Sequence, residues 1–189
     1  MTKKTFPPVL YILRNSLQFY VGGQDKPCVL DFDVEVVSDL EVKKINLLND
    51  SVRLFIEKNK IPATPFTIIL APEIYLEKTF AQGTGETNKD EINKFLDMAP
   101  FENVKSKTYP FEKGFKLYVV NMDYYEIIEA AFEKFGFRAE ATVPLTMLGT
   151  DKMTDDVFKK IGLARQFSSC GQASFAVMDE NKGETIRKN

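Results

Sequence analysis

Between Phe66 and Pro144 the apolar residues switch back and forth between a period of two and a period near 3.6. The stretch reads as strands at 66–71 and 75–80, a helix at 88–98, strands at 104–111 and 115–122, a helix at 123–135 and a strand at 137–143. Pro65, Pro100, Gly114, Gly136 and Pro144 punctuate it. This order makes the chain an α/β (α+β) protein, and the remaining segments must be fitted around it.

Phe66-Thr67-Ile68-Ile69-Leu70 is nearly all apolar, as in a strand buried on both faces. It follows a helix, so a crossover brings it parallel to an earlier strand. The partner is the hairpin of residues 9–13 and 17–21, with Arg14-Asn15-Ser16 as its turn and Gly22-Gly23 as the loop beyond. Residues 29–37 alternate, with Leu30, Phe32, Val34 and Val36 on one face and Asp31, Asp33 and Glu35 on the other. Three carboxylates on one face suit a hard cation such as magnesium. The solvated face of a half-buried strand explains the same pattern. Ser38-Asp39-Leu40-Glu41 matches a capping box, predicting a helix from there to about Asn59 with Val42, Ile45, Leu48, Val52, Phe55 and Ile56 inward.

Gly83-Thr84-Gly85-Glu86-Thr87 invites a phosphate-loop reading, but Lys89 is followed by Asp90 and the spacing does not fit. The glycines read as a turn and Thr87 as the cap of the helix whose stripe is Ile92, Phe95 and Leu96. Asp123 and Glu126 cap the later helix, and Gly136 stops it. Thr154 starts one more short helix, with Met153 and Phe158 as a hydrophobic staple and Gly162 as its stop. Residues 166–178 show no period, and 179–189 have the composition of a disordered polar tail, so the chain reads as ending in a linker.

At 189 residues the chain should bury roughly 70% of its unfolded surface. Sixteen Phe and seven Tyr against no Trp point to a core built on phenylalanine. A net charge of −2 gives no bulk attraction to nucleic acid, and no apolar run is long enough to insert into a membrane. The basic start at 1–4 has no signal-peptide core behind it, which places the chain in the cytoplasm. With no histidine, the usual general base and the commonest metal ligand are missing. Cys28 and Cys170 are too few for a zinc site and read as buried or partly buried thiols.

The run FTIILAPEIYLEKTF, a helix ending INKFLDMAPFENV, the hairpin KTYPFEKGFKLYVVNM and then YYEIIEAAFEKFGFRAEATVPLTMLG resemble PilM-type pilus assembly proteins. They are similar also to the cytoplasmic domains of GspL-type secretion proteins and to FtsA. The resemblance implies a partial actin-like fold, in which a first subdomain carries an inserted strand-helix-strand-strand module. Residues 1–71 with 144–165 would form the first subdomain, 72–143 the insert, and 166–189 an irregular C-terminal segment. Phe135-Gly136-Phe137 and Val143-Pro144-Leu145 match the return to the parent subdomain.

Nucleotide-binding members of that superfamily open with an Asp-Ile-Gly-type phosphate loop in the first hairpin. Here the matching stretch is Leu10-Tyr11-Ile12-Leu13-Arg14-Asn15-Ser16, with neither Asp nor Gly and with bulky side chains where amides would approach phosphate. The second half of such an ATPase is also missing. The expectation is therefore no catalytic residue, no cofactor and no metal. The resemblance implies a cytoplasmic scaffold or adaptor of a type IV pilus or type II secretion-like platform, at the inner face of the membrane. It would bind a segment of an inner-membrane pilus or secretion protein in a groove where the two lobes meet. Tyr75, Phe80, Lys107 and Tyr109 are the candidate partner-binding residues, and the same side chains also read as ordinary core. The alternative is a small soluble enzyme using paired carboxylates, Glu73 with Glu77 or the Asp31/Asp33 face, with or without a metal.

Overall fold

The computed structural model describes residues 8–21, 26–81, 85–158, 161 and 185–187. The first hairpin, β1 (Val9–Ile12) and β2 (Ser16–Tyr20), continues antiparallel into β3 (Cys28–Asp31). A small hairpin, β4 (Val37–Ser38) and β5 (Glu41–Val42), precedes helix α1 (Ile45–Asn59). The chain then crosses to β6 (Pro65–Leu70), which pairs parallel with β1. As the unbroken apolar run requires, β6 is buried on both faces. Phe66, Ile68 and Leu70 join Leu10, Ile12, Leu17 and Phe19 under α1, while Ile69 lies with Val9 and Tyr11 on the other side. Val157, Phe158 and Ile161 cover that second face. Thr154 caps this helical segment, its Oγ1 accepting the Val157 N–H at 3.4 Å, and Met153 packs in the same cluster as Phe158. Gly162 lies outside the described residues.

The alternation at 29–37 does not make one strand. Asp33 accepts the Glu35 N–H at 2.8 Å, and the Val36 and Val37 amides turn back to the Asp33 carbonyl. Such an Asx turn ends the strand early and leaves Val34 71% exposed. The capping box is likewise a misreading. Asp39 and Leu40, at φ 55° and 62°, are the two central residues of the β4–β5 hairpin, the positive-φ pair a primed turn requires. Helix α1 starts later, after Lys44, with no side-chain cap. Leu48, Val52 and Phe55 are its buried stripe, and Ile45 is 47% exposed.

After β6 a 3-10 turn (Pro72–Ile74) leads into β7 (Tyr75–Ala81), α2 (Gly85–Asp97), β8 (Asn103–Phe111) and β9 (Gly114–Asn121). Helix α2 begins before Thr87, so the expected cap lies inside it; Gly83 falls outside the described residues. Gly114 has no substitute in the β8–β9 turn, because a Cβ there would stand 1.9 Å from the Phe80 carbonyl oxygen. Helix α3 (Met122–Glu133) is capped by Asn121 rather than Asp123, and Gly136, at φ 82°, lets the chain turn into β10 (Arg138–Pro144). β10 returns parallel to β6, with Pro144 beside Leu70. Last comes β11 (Thr185–Arg187), which pairs with β8; these residues are therefore strand rather than structureless tail. The remainder of 166–184, with Cys170, lies outside the described residues.

The two larger sheets run β10-β6-β1-β2-β3 and β11-β8-β9-β7. α2 covers one face of the second with Ile92, Phe95 and Leu96. α3 touches this sheet too, its Glu126 pairing with Lys105 of β8 at 3.0 Å and Tyr125 lying 5.9 Å under the same ammonium. Its Phe132 stacks on Phe19 at 5.9 Å and meets Phe137 at 5.6 Å, placing the helix on the first sheet beside α1. The phenylalanine-rich composition is spent here, on Phe19, Phe66, Phe132 and Phe137 in mutual ring contact.

Candidate functional site

Parallel pairing of β1 with β6 sets Ile12 beside Leu70, so the turn after β1 and the 3-10 turn after β6 lie side by side. Glu73, on the latter, accepts the Arg14 backbone N–H at 3.1 Å. From the other side the Tyr124 hydroxyl faces the carbonyl oxygens of Leu13 and Arg14 at 2.5 and 3.0 Å, its one proton shared between them. Burial, and secondarily the Glu73 carboxylate, pushes the Tyr124 phenol well above its ordinary range, which keeps it a donor. Asn121 accepts the Asp123 N–H and donates to the Leu40 carbonyl at 2.8 Å, fastening the β4–β5 turn to the start of α3. The Arg14 guanidinium reaches Asp39 at 3.3 Å across an exposed surface.

The turn is therefore closed by the chain's own groups. A phosphate approaching it would have to displace Glu73 from the Arg14 amide and meet a carboxylate of like charge.

The second group of residues lies where β7, β8 and β9 meet the 3-10 turn Leu145–Leu148 that follows β10. Thr146 Oγ1 is its centre: it donates to Glu77 Oε2 at 2.5 Å and lies 2.9 Å from the Tyr75 hydroxyl and 3.2 Å from that of Tyr118. The Thr146 N–H also donates to the Tyr75 oxygen at 3.3 Å. Tyr118 stands edge-on between Tyr75 and Tyr109, at 5.5 and 5.4 Å. The Lys107 ammonium lies 5.5 Å over the Tyr109 ring, and Lys116 pairs with Glu77 at 3.5 Å. Tyr109 is 4% exposed, and among the described residues its hydroxyl finds no hydrogen-bond partner.

Of the sequence candidates, Tyr75, Lys107 and Tyr109 thus come together on one face of the second sheet. Phe80 does not. Its odd spacing from Tyr75 turns it to the face under α2, stacked on Phe115 at 5.0 Å. Tyr75, Phe80 and Tyr109 are buried, so Glu77, Lys107 and Lys116 form the wetter rim, with Met147 37% exposed nearby in sequence. Thr146 and Tyr118 were not singled out in the sequence; one clue to Thr146 is its place directly after the Val143-Pro144-Leu145 return. Of the paired carboxylates, Glu73 accepts from the Arg14 amide and Glu77 is held by Thr146 and Lys116. Asp31, Asp33 and Glu35 are exposed, and among the described residues no three His, Cys, Asp or Glu gather as a metal site. Cys28 is half-buried, and burial raises its thiol pKa.

No protein-family model matches the sequence, and no curated protein matches it. Solved structures do. The chain is similar to the PilM-PilN type IV pilus biogenesis complex, with a TM-score of 0.51 and 9% identity over 77% of this chain and 49% of that one. It is similar, at a TM-score of 0.47 and 10% identity, to the cytoplasmic domain of EpsL, an inner-membrane component of the type II secretion system of Vibrio cholerae. That match covers 77% of this chain and 59% of the other. A Bacteroides thetaiotaomicron protein with an actin-like ATPase fold follows at 0.43 and 8%, over 89% and 57%. The chain thus spans about half to three-fifths of the length of the structures it resembles. Over 77% of its length the chain shares its fold with the PilM-PilN structure.

Proposed function

We infer that this chain is a non-catalytic scaffold or adaptor of a type IV pilus or type II secretion-like assembly platform, working in the cytoplasm at the inner face of the membrane. Residues 72–143 act as the inserted module, leaving and returning where Leu70 and Pro144 are paired neighbours. The observation that carries the reading is the closed β1–β2 turn in a fold of this kind, held by Glu73 and Tyr124 where related folds hold phosphate. A lobe that keeps the insert but fills its own phosphate position is suited to binding a protein rather than to hydrolysis. The likeness to a PilM-PilN complex suggests the partner class, a short segment of an inner-membrane assembly protein. Among the described residues no helix is long and apolar enough to cross a membrane.

The junction around Thr146 is the proposed docking place, with Lys107, Glu77 and Lys116 at its rim and Tyr75 and Tyr109 supporting it from beneath. Cross-linking in cells of the native host, followed by affinity isolation, tests this. The unaltered chain is expected to capture an inner-membrane pilus or secretion component. Lys107→Glu and Thr146→Val variants, shown by circular dichroism to be folded, are expected to lose most of it. Folded variants that retain every partner would remove the junction from consideration.

A further inference from the structure

We propose that the Tyr109 hydroxyl, between Lys107 and Lys116, receives an aspartate or glutamate side chain of the partner segment that docks at the Thr146 junction. This deepens the docking reading and rests on it. Tyr109, Lys107 and Lys116 share the face of the second sheet opposite α2 with Tyr75, Glu77 and Tyr118. On that face the hydroxyls of Tyr75 and Tyr118 are engaged with Thr146, and Glu77 is held by Thr146 and Lys116. Tyr109 differs. It meets Tyr118 edge-on at 5.4 Å and is 4% exposed, yet among the described residues its hydroxyl has no acceptor. A phenol dehydrated without a partner lowers stability, so folding alone favours phenylalanine at this position. An acceptor brought by a docked segment gives the hydroxyl its use.

The neighbours specify that acceptor. Lys116 stands directly opposite Tyr109 in the β8–β9 ladder, and the Lys107 ammonium lies 5.5 Å over its ring. An amide carbonyl would satisfy the phenol but gain little from the cations. A carboxylate accepts from the phenol and is attracted by both ammonium groups. The local carboxylate, Glu77, reaches Lys116 at 3.5 Å with both side chains 35% exposed, a weak pair that an arriving acid rearranges at small cost. Both lysines are half-buried on long flexible stems, so they are the side chains that swing aside as the acid reaches the phenol. Burial, and secondarily Tyr118, raises the Tyr109 phenol to about 12, so it meets the acid as a neutral donor.

The test selects short random peptides displayed on phage against the full chain. Enriched peptides are then made with amidated C-termini, which leaves side chains as their only carboxylates, and titrated by fluorescence anisotropy. Peptides whose binding is lost in Thr146→Val are expected to share an Asp or Glu. Replacing that residue by Asn or Gln should weaken binding to the unaltered chain by about tenfold or more, and weaken binding to Tyr109→Phe far less. Tyr109→Phe should itself weaken the acidic peptide by a similar factor while its unfolding midpoint does not fall, which separates a binding role from a structural one. Thr146-dependent peptides that tolerate Asn or Gln would overturn the proposal and leave the docking reading standing. An acid requirement unchanged in Tyr109→Phe would likewise overturn it, by placing the carboxylate elsewhere. If no peptide depends on Thr146, both fall together.

Discussion

Tyr124 and Tyr109 are both buried, yet their hydroxyls differ in what they do. The first holds the β1–β2 turn through two carbonyl oxygens, and the second has no partner among the described residues. Tyr124→Phe leaves those carbonyls without their donor and is expected to lower stability by about 1–3 kcal/mol in urea unfolding. Tyr109→Phe removes a hydroxyl that was desolvated without compensation, so its midpoint is expected to stay put or rise. Burial pushes Tyr11 and Tyr109 from 10.0 up to about 12, with Glu73 adding to the shift at Tyr11 and Tyr118 at Tyr109. Below pH 10 these phenols are neutral in both folded and unfolded chains. Above it the unfolded chain loses protons first, so their stabilising contribution falls as pH rises from 10 towards about 12. Tyrosinate absorbance is therefore expected to appear together with alkaline unfolding; a full tyrosinate signal from a still-folded chain would contradict this.

At the scale of elements, α3 explains most of the architecture. It follows the second sheet in sequence but packs its aromatic face into the first, so Phe132→Ala is expected to cost about 3–5 kcal/mol. Its cap, Asn121, also fastens Leu40, and Asn121→Ala should cost about 1–2 kcal/mol by loss of both bonds. Strands and helices with strong periodicity, β6 to β10 above all, were legible in the sequence because burial on one or two faces writes itself into apolar spacing. The segment 33–42 was not. Ser38-Asp39-Leu40-Glu41 has the spacing of a capping box, but a two-residue hairpin tolerates the same letters once Leu40 is buried and its carbonyl is held by Asn121. That tether joins residues 81 apart in sequence, beyond the reach of any local pattern. The Asx turn at Asp33 was hidden for a different reason, since an alternating run of acids and hydrophobes continued through it.

For the whole molecule, one hydrophobic cluster joins Leu10, Phe19 and Phe66 of the first sheet to Tyr75, Tyr109 and Tyr118 of the second. A shared core of this kind should unfold in one cooperative transition by fluorescence and circular dichroism alike. The class of fold was readable from residue order, through the strands and helices of 66–144 and the Arg14-Asn15-Ser16 turn of the first hairpin. The candidate site was readable only in part, because β7 alternation separates Phe80 from Tyr75 and because Thr146 is brought in by the return to the first sheet. The central proposal is that Glu73 and Tyr124 close the β1–β2 turn and that the chain serves as a binding platform rather than a nucleotide site. Calorimetric titration of the full chain with Mg-ATP tests it most directly. No saturable heat is expected up to about 1 mM nucleotide, whereas a Kd near about 1 μM would mean that the turn opens to phosphate and would contradict the account.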